Sequence, residues 1–406
     1  MSLFSFSKKK VSRATLVLDI GSKSVGGAIY EKTADGKALL LYTGREQIPF
    51  QRELKGERLL AAMINSLGNL LLHIERYGIE HLKNEGKNPY RVDATVFVVS
   101  SPWHASETKL LRLELPKPSL VTKTITDNLL SEEEKHFEEE RKVSGEAARF
   151  EMFERKIIEL RLDGYPTATP YGKKAKRLDM QIFGSIISSN TLEALQKTTQ
   201  KYFPVEHFFY HTFSAVAFAG LRDHFPELKD FLIIQVGGEV TDVTVIKKGI
   251  ISEVVSLPLG HNSLLRSLAQ ICDNHPDCTL EALFALHAKE HIDDPDKRKV
   301  EMAIAETKKV WLGHLSGALS NFSKEAFLPK DAFLFEESPY ALVFEEFLKE
   351  VSTSQFTVAA EPFSVKVIDQ TPRSLFAETV KGVRLDPILS MESAFSAQID
   401  GVTPTL

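Results

Sequence analysis

Two short stretches bring together residue types that can hold a phosphate. "DIGSKSV", Asp19 to Val25, sets Gly21, Ser22, Lys23 and Ser24 between two apolar, strand-like runs, and "QVGGEVTDV", Gln235 to Val243, does the same with Gly237, Gly238 and Thr241. A phosphate needs several backbone N–H groups aimed into one small concavity, and glycine or a short hydroxyl residue lets the anion approach without a Cβ in the way. Asp19 and Asp242 stand at these turns, where a carboxylate can hold a hydrated magnesium ion. One such hairpin is an ordinary turn; two, in matching halves of a chain, point to a cleft between two lobes.

The elements that must position these turns are legible around them. "TLVLDI", "VGGAIY" and "ALLLYTGREQI" are β-rich runs separated by turn residues, which predicts a three-stranded meander. Leu60, Met63, Ile64, Leu67, Leu70, Leu71 and Ile74 then recur at helical steps, giving an apolar face to lay on that sheet. "ATVFVVSSP" is a continuous apolar run ended by Pro102, as expected of a buried central strand. From Asp230 the strand-turn-strand-turn-strand plan repeats in "FLIIQVGGEVTDVTVIKKGIISEVVSLPLG".

These patterns divide the chain into a basic flexible tail (1–13), a first-lobe core with the first Gly-rich turn (14–114) and an inserted α/β subdomain (115–202). A return to the first lobe follows (203–229), then a second-lobe core with the second turn (230–262), a helical subdomain (263–320), more second-lobe core (321–385) and a tail (386–406). The insert carries an acidic helix around Glu132–Glu140, read as solvent-facing. It also carries Lys173, Lys174, Lys176 and Arg177 in one turn. That basic turn is a candidate contact for an acidic partner, or for the acidic helix of the next molecule in a head-to-tail filament.

A length of 406 residues suits two or three domains. With 50 basic against 55 acidic residues, a net charge of -5, the chain lacks the basic excess of a nucleic-acid binder. No apolar run is long enough to span a membrane and the N-terminus lacks a signal-peptide core, so the expected location is cytoplasmic. Cys272, His275 and Cys278 have five residues between the cysteines and no second cluster, a poor match to structural zinc.

The two Gly-rich turns resemble the phosphate loops of the actin-like ATPase superfamily. Within it the sequence is most similar to the bacterial cell-division FtsA family, with PilM-like pilus-assembly proteins next. The serines of "DIGSKSV", the insert around "LRLDGYPTATPYGKKAKRLDMQIFGSIIS" and the turn and helix of "LPLGHNSLLRSLAQ" carry the likeness. The resemblance implies an α/β, two-lobed actin-like (ribonuclease H-like) fold with an FtsA-type subdomain inserted in the first lobe. It implies ATP and Mg2+ as cofactors, at most a weak ATPase or a pseudo-ATPase, and a scaffold role in cell division or envelope assembly. Expected partners are further copies, in filaments or pairs, and acidic or membrane-linked assembly proteins, at the inner face of the cell membrane. A PilM-like pilus scaffold and a small-molecule kinase of the same fold are the alternatives. His104, just after the central strand, matches a residue that orients the attacking water. Three departures stand out: Gln235 replaces the family's magnesium-side Asp, Glu239 replaces a glycine, and Phe335, Glu336, Glu337 and Ser338 replace the Gly-Gly-Gly of the adenosine loop. The end of the chain after Arg384 has no Lys or Arg with which to hold an anionic membrane.

Overall fold

Aliphatic runs broken by small turns form β1 (Ser12–Ile20), β2 (Ser24–Lys32) and β3 (Ala38–Gln47), an antiparallel meander. This computed structural model describes residues 12–78, 90–144, 150–271, 295–323, 327–336, 340–351, 362–368 and 376–399. The predicted helix is α1 (Gly56–His73), which buries Leu59, Met63, Leu67, Leu70 and Leu71 against the sheet. The predicted central strand is β4 (Tyr90–Val99), parallel to β1.

Next come β5 (His104–Leu120), α2 (Lys123–Ser144), β6 (Phe150–Leu162), β7 (Tyr165–Pro166), β8 (Lys174–Ser188) and α3 (Ser189–Gln200). The chain returns through β9 (His207–Thr212) and crosses on α4 (Phe213–His224). The second half supplies β10 (Phe231–Val236), β11 (Thr241–Lys247), β12 (Ile250–Leu257), α5 (His261–Ile271), α6 (Pro295–Ser323), β13 (Asp331–Phe335), α7 (Tyr340–Lys349) and β14 (Ser364–Val367). Lys248 and Gly249, both at positive φ, make the tight turn between β11 and β12. The chain closes with β15 (Glu378–Thr379) and α8 (Pro387–Gln398).

Sheet order exposes the repeat. The first lobe runs β15-β3-β2-β1-β4-β9 and the second β12-β11-β10-β13-β14. Apart from β15 at the edge, each is an antiparallel meander followed by two parallel strands. The core between the lobes joins Val17, Ala28 and Val98 of the first sheet to Phe231, Ile233 and Phe333 of the second, with Leu221 of α4 and Leu389 of α8. Burying each of the Val, Leu, Ile and Phe side chains stabilises by about 1.5–3 kcal/mol, so the two sheets and the two helices share one core.

The third sheet, β5-β8-β6-β7, has a small core of its own with Leu130 of α2. Its base touches both lobes. Glu154 of β6 accepts from the Thr212 N–H (3.0 Å) and hydroxyl (2.6 Å) at the end of β9, and the Thr108 hydroxyl of β5 donates to the Ser252 carbonyl of β12 (2.9 Å).

Two boundaries differ from the sequence reading. The inserted sheet starts at His104 and ends at Ser188 rather than spanning 115–202, because α3 sends Leu195 into the first-lobe core. The supposed tail 386–406 contains α8. Asp386 caps it by accepting from the N–H groups of Ile388 and Leu389, and Pro387 opens its first turn. Packed on several sides, α8 has little of the one-sided apolar stripe that marks a surface helix. The 1–11 part of the basic tail, the 272–294 segment with both cysteines, and residues 337–339 and 400–406 lie outside the described residues.

Candidate functional site

The two Gly-rich turns meet face to face between the lobes. Each is pinned internally, by the Gly21 N–H to the Ser24 carbonyl (3.2 Å) and by the Gly237 N–H to the Val240 carbonyl (2.9 Å). The Ser22 hydroxyl accepts from the Glu239 N–H across the gap (3.1 Å). A Cβ on Gly238 would lie 2.6 Å from the Ser22 carbonyl carbon and oxygen, so only glycine permits this approach. Behind the second turn, the first N–H groups of α5 are taken up by its carbonyls: His261 donates to Gly237 (2.9 Å) and Asn262 to Gly238 (2.8 Å).

The polar side chains around the contact are paired with one another. Lys23 forms an ion pair with Glu336, just past β13, and His261 Nδ1 lies 3.7 Å from the other oxygen of that buried carboxylate. Burial alone would raise the Glu336 pKa; Lys23 and His261 outweigh it and hold the carboxyl below its ordinary value. Glu239, also buried, pairs with Arg266 and accepts from the Asn262 side chain (2.7 Å). Asp19 is bound by Arg45 Nη1 (2.7 Å), which also donates to the Ser24 hydroxyl (3.0 Å), while Arg45 Nε binds Asp386 (2.8 Å).

Several predicted site residues are held by partners within the protein. The Thr241 hydroxyl donates to the Leu259 carbonyl (2.6 Å) and accepts from Trp311 (3.2 Å), inside the second lobe. Asp242 accepts from the Ser256 hydroxyl, and Gln235 donates to the Ser100 hydroxyl (2.8 Å). Gln235 Oε1 is buried with no hydrogen-bond partner among the described residues. His104 opens β5; its Nδ1 meets the Ser106 hydroxyl (3.1 Å) and its buried Nε2 has no hydrogen-bond partner among the described residues. Burial lowers its pKa against the pull of Asp242 and Glu154, which leaves a neutral imidazole. Lys173, Lys174, Lys176 and Arg177 lie far from this cleft, at the opposite end of β8 from Ser188; Lys173 precedes the strand and the other three lie on it rather than in one turn.

Beside the turns lies a polar cavity of about 460 Å³, bordered by Gly44, Arg45, Glu336, Arg384 and Asp386. Its size suits a nucleotide, but the groups that would receive phosphates do not. Carboxylates of Glu239 and Glu336 occupy the cradle's cationic partners, Arg45 neutralises the magnesium-side Asp19, and the two turns touch where the phosphates would enter. In this arrangement the residues do not fit ATP with magnesium.

Arg45, His261, Arg266 and Asp386 are the site residues that motif reading missed, together with Glu392, buried on α8 within electrostatic reach of Asp19, Arg45 and Asp386. Of these only Glu392 had a signal, a lone charge within "LSMESAF".

No protein-family model matches the chain, and no curated protein matches it. Among solved structures it is similar to a PilM–PilN type IV pilus biogenesis complex, at 13% identity and a TM-score of 0.57, covering 96% of this chain and 99% of that one. It is also similar to the ethanolamine utilization protein EutJ from Carboxydothermus hydrogenoformans (11% identity, TM-score 0.43, 95% and 89% covered). A Bacteroides thetaiotaomicron protein with an actin-like ATPase fold follows at 10% identity, TM-score 0.34, with 86% and 92% covered. The likeness to the first runs over nearly the whole of both chains, and the fold is the two-lobed actin-like one.

Proposed function

We propose that the chain is an actin-like assembly scaffold of the PilM kind, which keeps its lobes closed with its own side chains and holds a protein partner on the third sheet. The observation that carries this reading is the contact of the two Gly-rich turns, sealed by Lys23–Glu336 and Glu239–Arg266. A lobe closed by internal ion pairs does not need a nucleotide to stay closed, and a ligand shifts the lobes only if it binds one state better than the other. ATP hydrolysis is not part of this reading. The kinase alternative loses ground for the same reason, since phosphoryl transfer depends on positioned phosphates and metal.

The PilM–PilN complex among the similar structures supports a protein partner and favours the pilus-type role over a division-type one. A groove of about 210 Å³ between α2 and the third sheet offers the surface. Leu130, Met152, Ile182 and Ile186 border it, with the ion pairs Lys109–Glu133 and Arg155–Glu134 at its sides. Those pairs also engage Glu133 and Glu134 within the molecule, which removes them from the acidic face that a head-to-tail filament would use. The groove suits a short apolar peptide from a membrane-linked partner.

Calorimetric titration with ATP, with and without magnesium, tests the sealed cleft. The expected outcome is no binding at millimolar ATP. Magnesium-dependent binding that Asp19→Ala weakens would replace this reading with a nucleotide-gated one.

A further inference from the structure

The far end of the third sheet gathers cations from separate stretches of sequence. β8 runs from Ser188 at the lobes to Lys174 at the tip, a span of about 45 Å at the usual strand rise. At that tip Lys174 pairs in register with Leu120, and Lys176 follows on the same strand. Lys173 precedes them, Lys117 sits in the bulge of β5 between Glu114 and Ser119, and Lys123 opens α2. All five lysines are exposed. The carboxylates near them are Glu114, Asp127 and Asp163, and Asp163 Oδ1 is engaged by the N–H groups of Lys176 (3.0 Å) and Arg177 (2.8 Å).

Apolar area lies among these charges. Tyr165 is 78% exposed, Leu120 49% and Tyr171 47%, all at the same end of the sheet. A tyrosine ring with a wet phenol is suited to the headgroup level of a bilayer.

The residue types choose between a lipid and a protein surface. The four arginines of the sheet, Arg112, Arg155, Arg161 and Arg177, are tied in ion pairs within the molecule, while none of the five lysines forms an ion pair among the described residues. Protein interfaces favour arginine and are poor in lysine. A bilayer reads charge without demanding a fixed fork geometry, which is what a mobile lysine offers.

We infer that the distal tip of the third sheet docks directly on an anionic lipid surface, with Lys117, Lys173, Lys174 and Lys176 facing the headgroups and Tyr165 inserted among them. The experiment is co-sedimentation of the full chain with phosphatidylglycerol–phosphatidylcholine vesicles and with phosphatidylcholine vesicles alone. Binding to the anionic vesicles alone is expected, weakened by added salt. Each lysine should contribute about fivefold, so the variant Lys117→Ala/Lys173→Ala/Lys174→Ala/Lys176→Ala should lose more than about a hundredfold. Tyr165→Ser should cause a smaller loss that salt does not change. Because these side chains are exposed, thermal melts of the variants should match the parent, separating lost docking from lost folding. Three results would overturn the inference. One is no sedimentation of the parent chain. Another is binding that survives the four-lysine variant but disappears on Lys8→Ser/Lys9→Ser/Lys10→Ser. The third is self-association, or capture of an acidic protein, that the four-lysine variant abolishes while vesicles are ignored.

Discussion

Lys23 reaches across the cleft to Glu336, a carboxylate shut away from solvent, and His261 Nδ1 lies 3.7 Å from its other oxygen. Removing one partner of a buried pair leaves an uncompensated charge, so Lys23→Ala should lower unfolding stability by about 3–5 kcal/mol. The paired change Lys23→Met/Glu336→Leu should recover most of that loss in denaturant melts, since apolar replacement of a buried pair is often neutral. Glu392 tests the cluster from the other side. It is fully buried in α8, and neither carboxyl oxygen has a hydrogen-bond partner among the described residues. Burial and the neighbouring Asp19 raise its pKa well above the ordinary carboxyl value, with Arg45 opposing. The folded state therefore keeps a proton that the unfolded chain releases above about pH 4.3. Stability from this group is present below that pH and declines as pH rises towards the folded value. Glu392→Gln removes the decline, so its advantage over the parent in urea melts should grow from about pH 5 to about pH 8. Glu154 behaves in the opposite sense: burial would raise it, but Lys156 and His211 hold it at about 2, so its contribution is present at neutral pH and lost as pH falls towards that value.

Strands and turns were the legible elements. The meanders, the central strand and α1 could be read because each buries one face or both in a regular period. α8 was not legible, because a helix enclosed on several sides by sheet and helix shows no polar face. The cleft was half legible. Gly238 announced a close approach, but what approaches is the neighbouring turn rather than a phosphate, and the ion pairs that seal it join residues distant in sequence. The groove on the third sheet yields a prediction at this scale. A Cβ on Gly184 would meet nothing within 4 Å, so Gly184→Trp can fill the groove without moving the backbone. Partner-peptide binding, followed by fluorescence anisotropy, should fall at least tenfold in this variant while its thermal melt stays near the parent's.

At the scale of the whole molecule, the two lobes share one core, and α4 and α8 lie between the sheets. The third sheet braces both, through Glu154 to β9 and Thr108 to β12. On the proposed reading, a body joined in three places stays closed without a ligand in its cleft, which would leave its outer surfaces constant for assembly. The most direct test is a distance across the cleft. With Cys272 and Cys278 replaced by Ser, spin labels at Gln47→Cys on the first lobe and Glu346→Cys on the second report lobe separation by pulsed electron resonance. One narrow distance distribution, unchanged by millimolar ATP with magnesium, is the expected result. A distribution that is broad without nucleotide and narrows or shifts when it is added would contradict the claim that the chain's own side chains close the lobes.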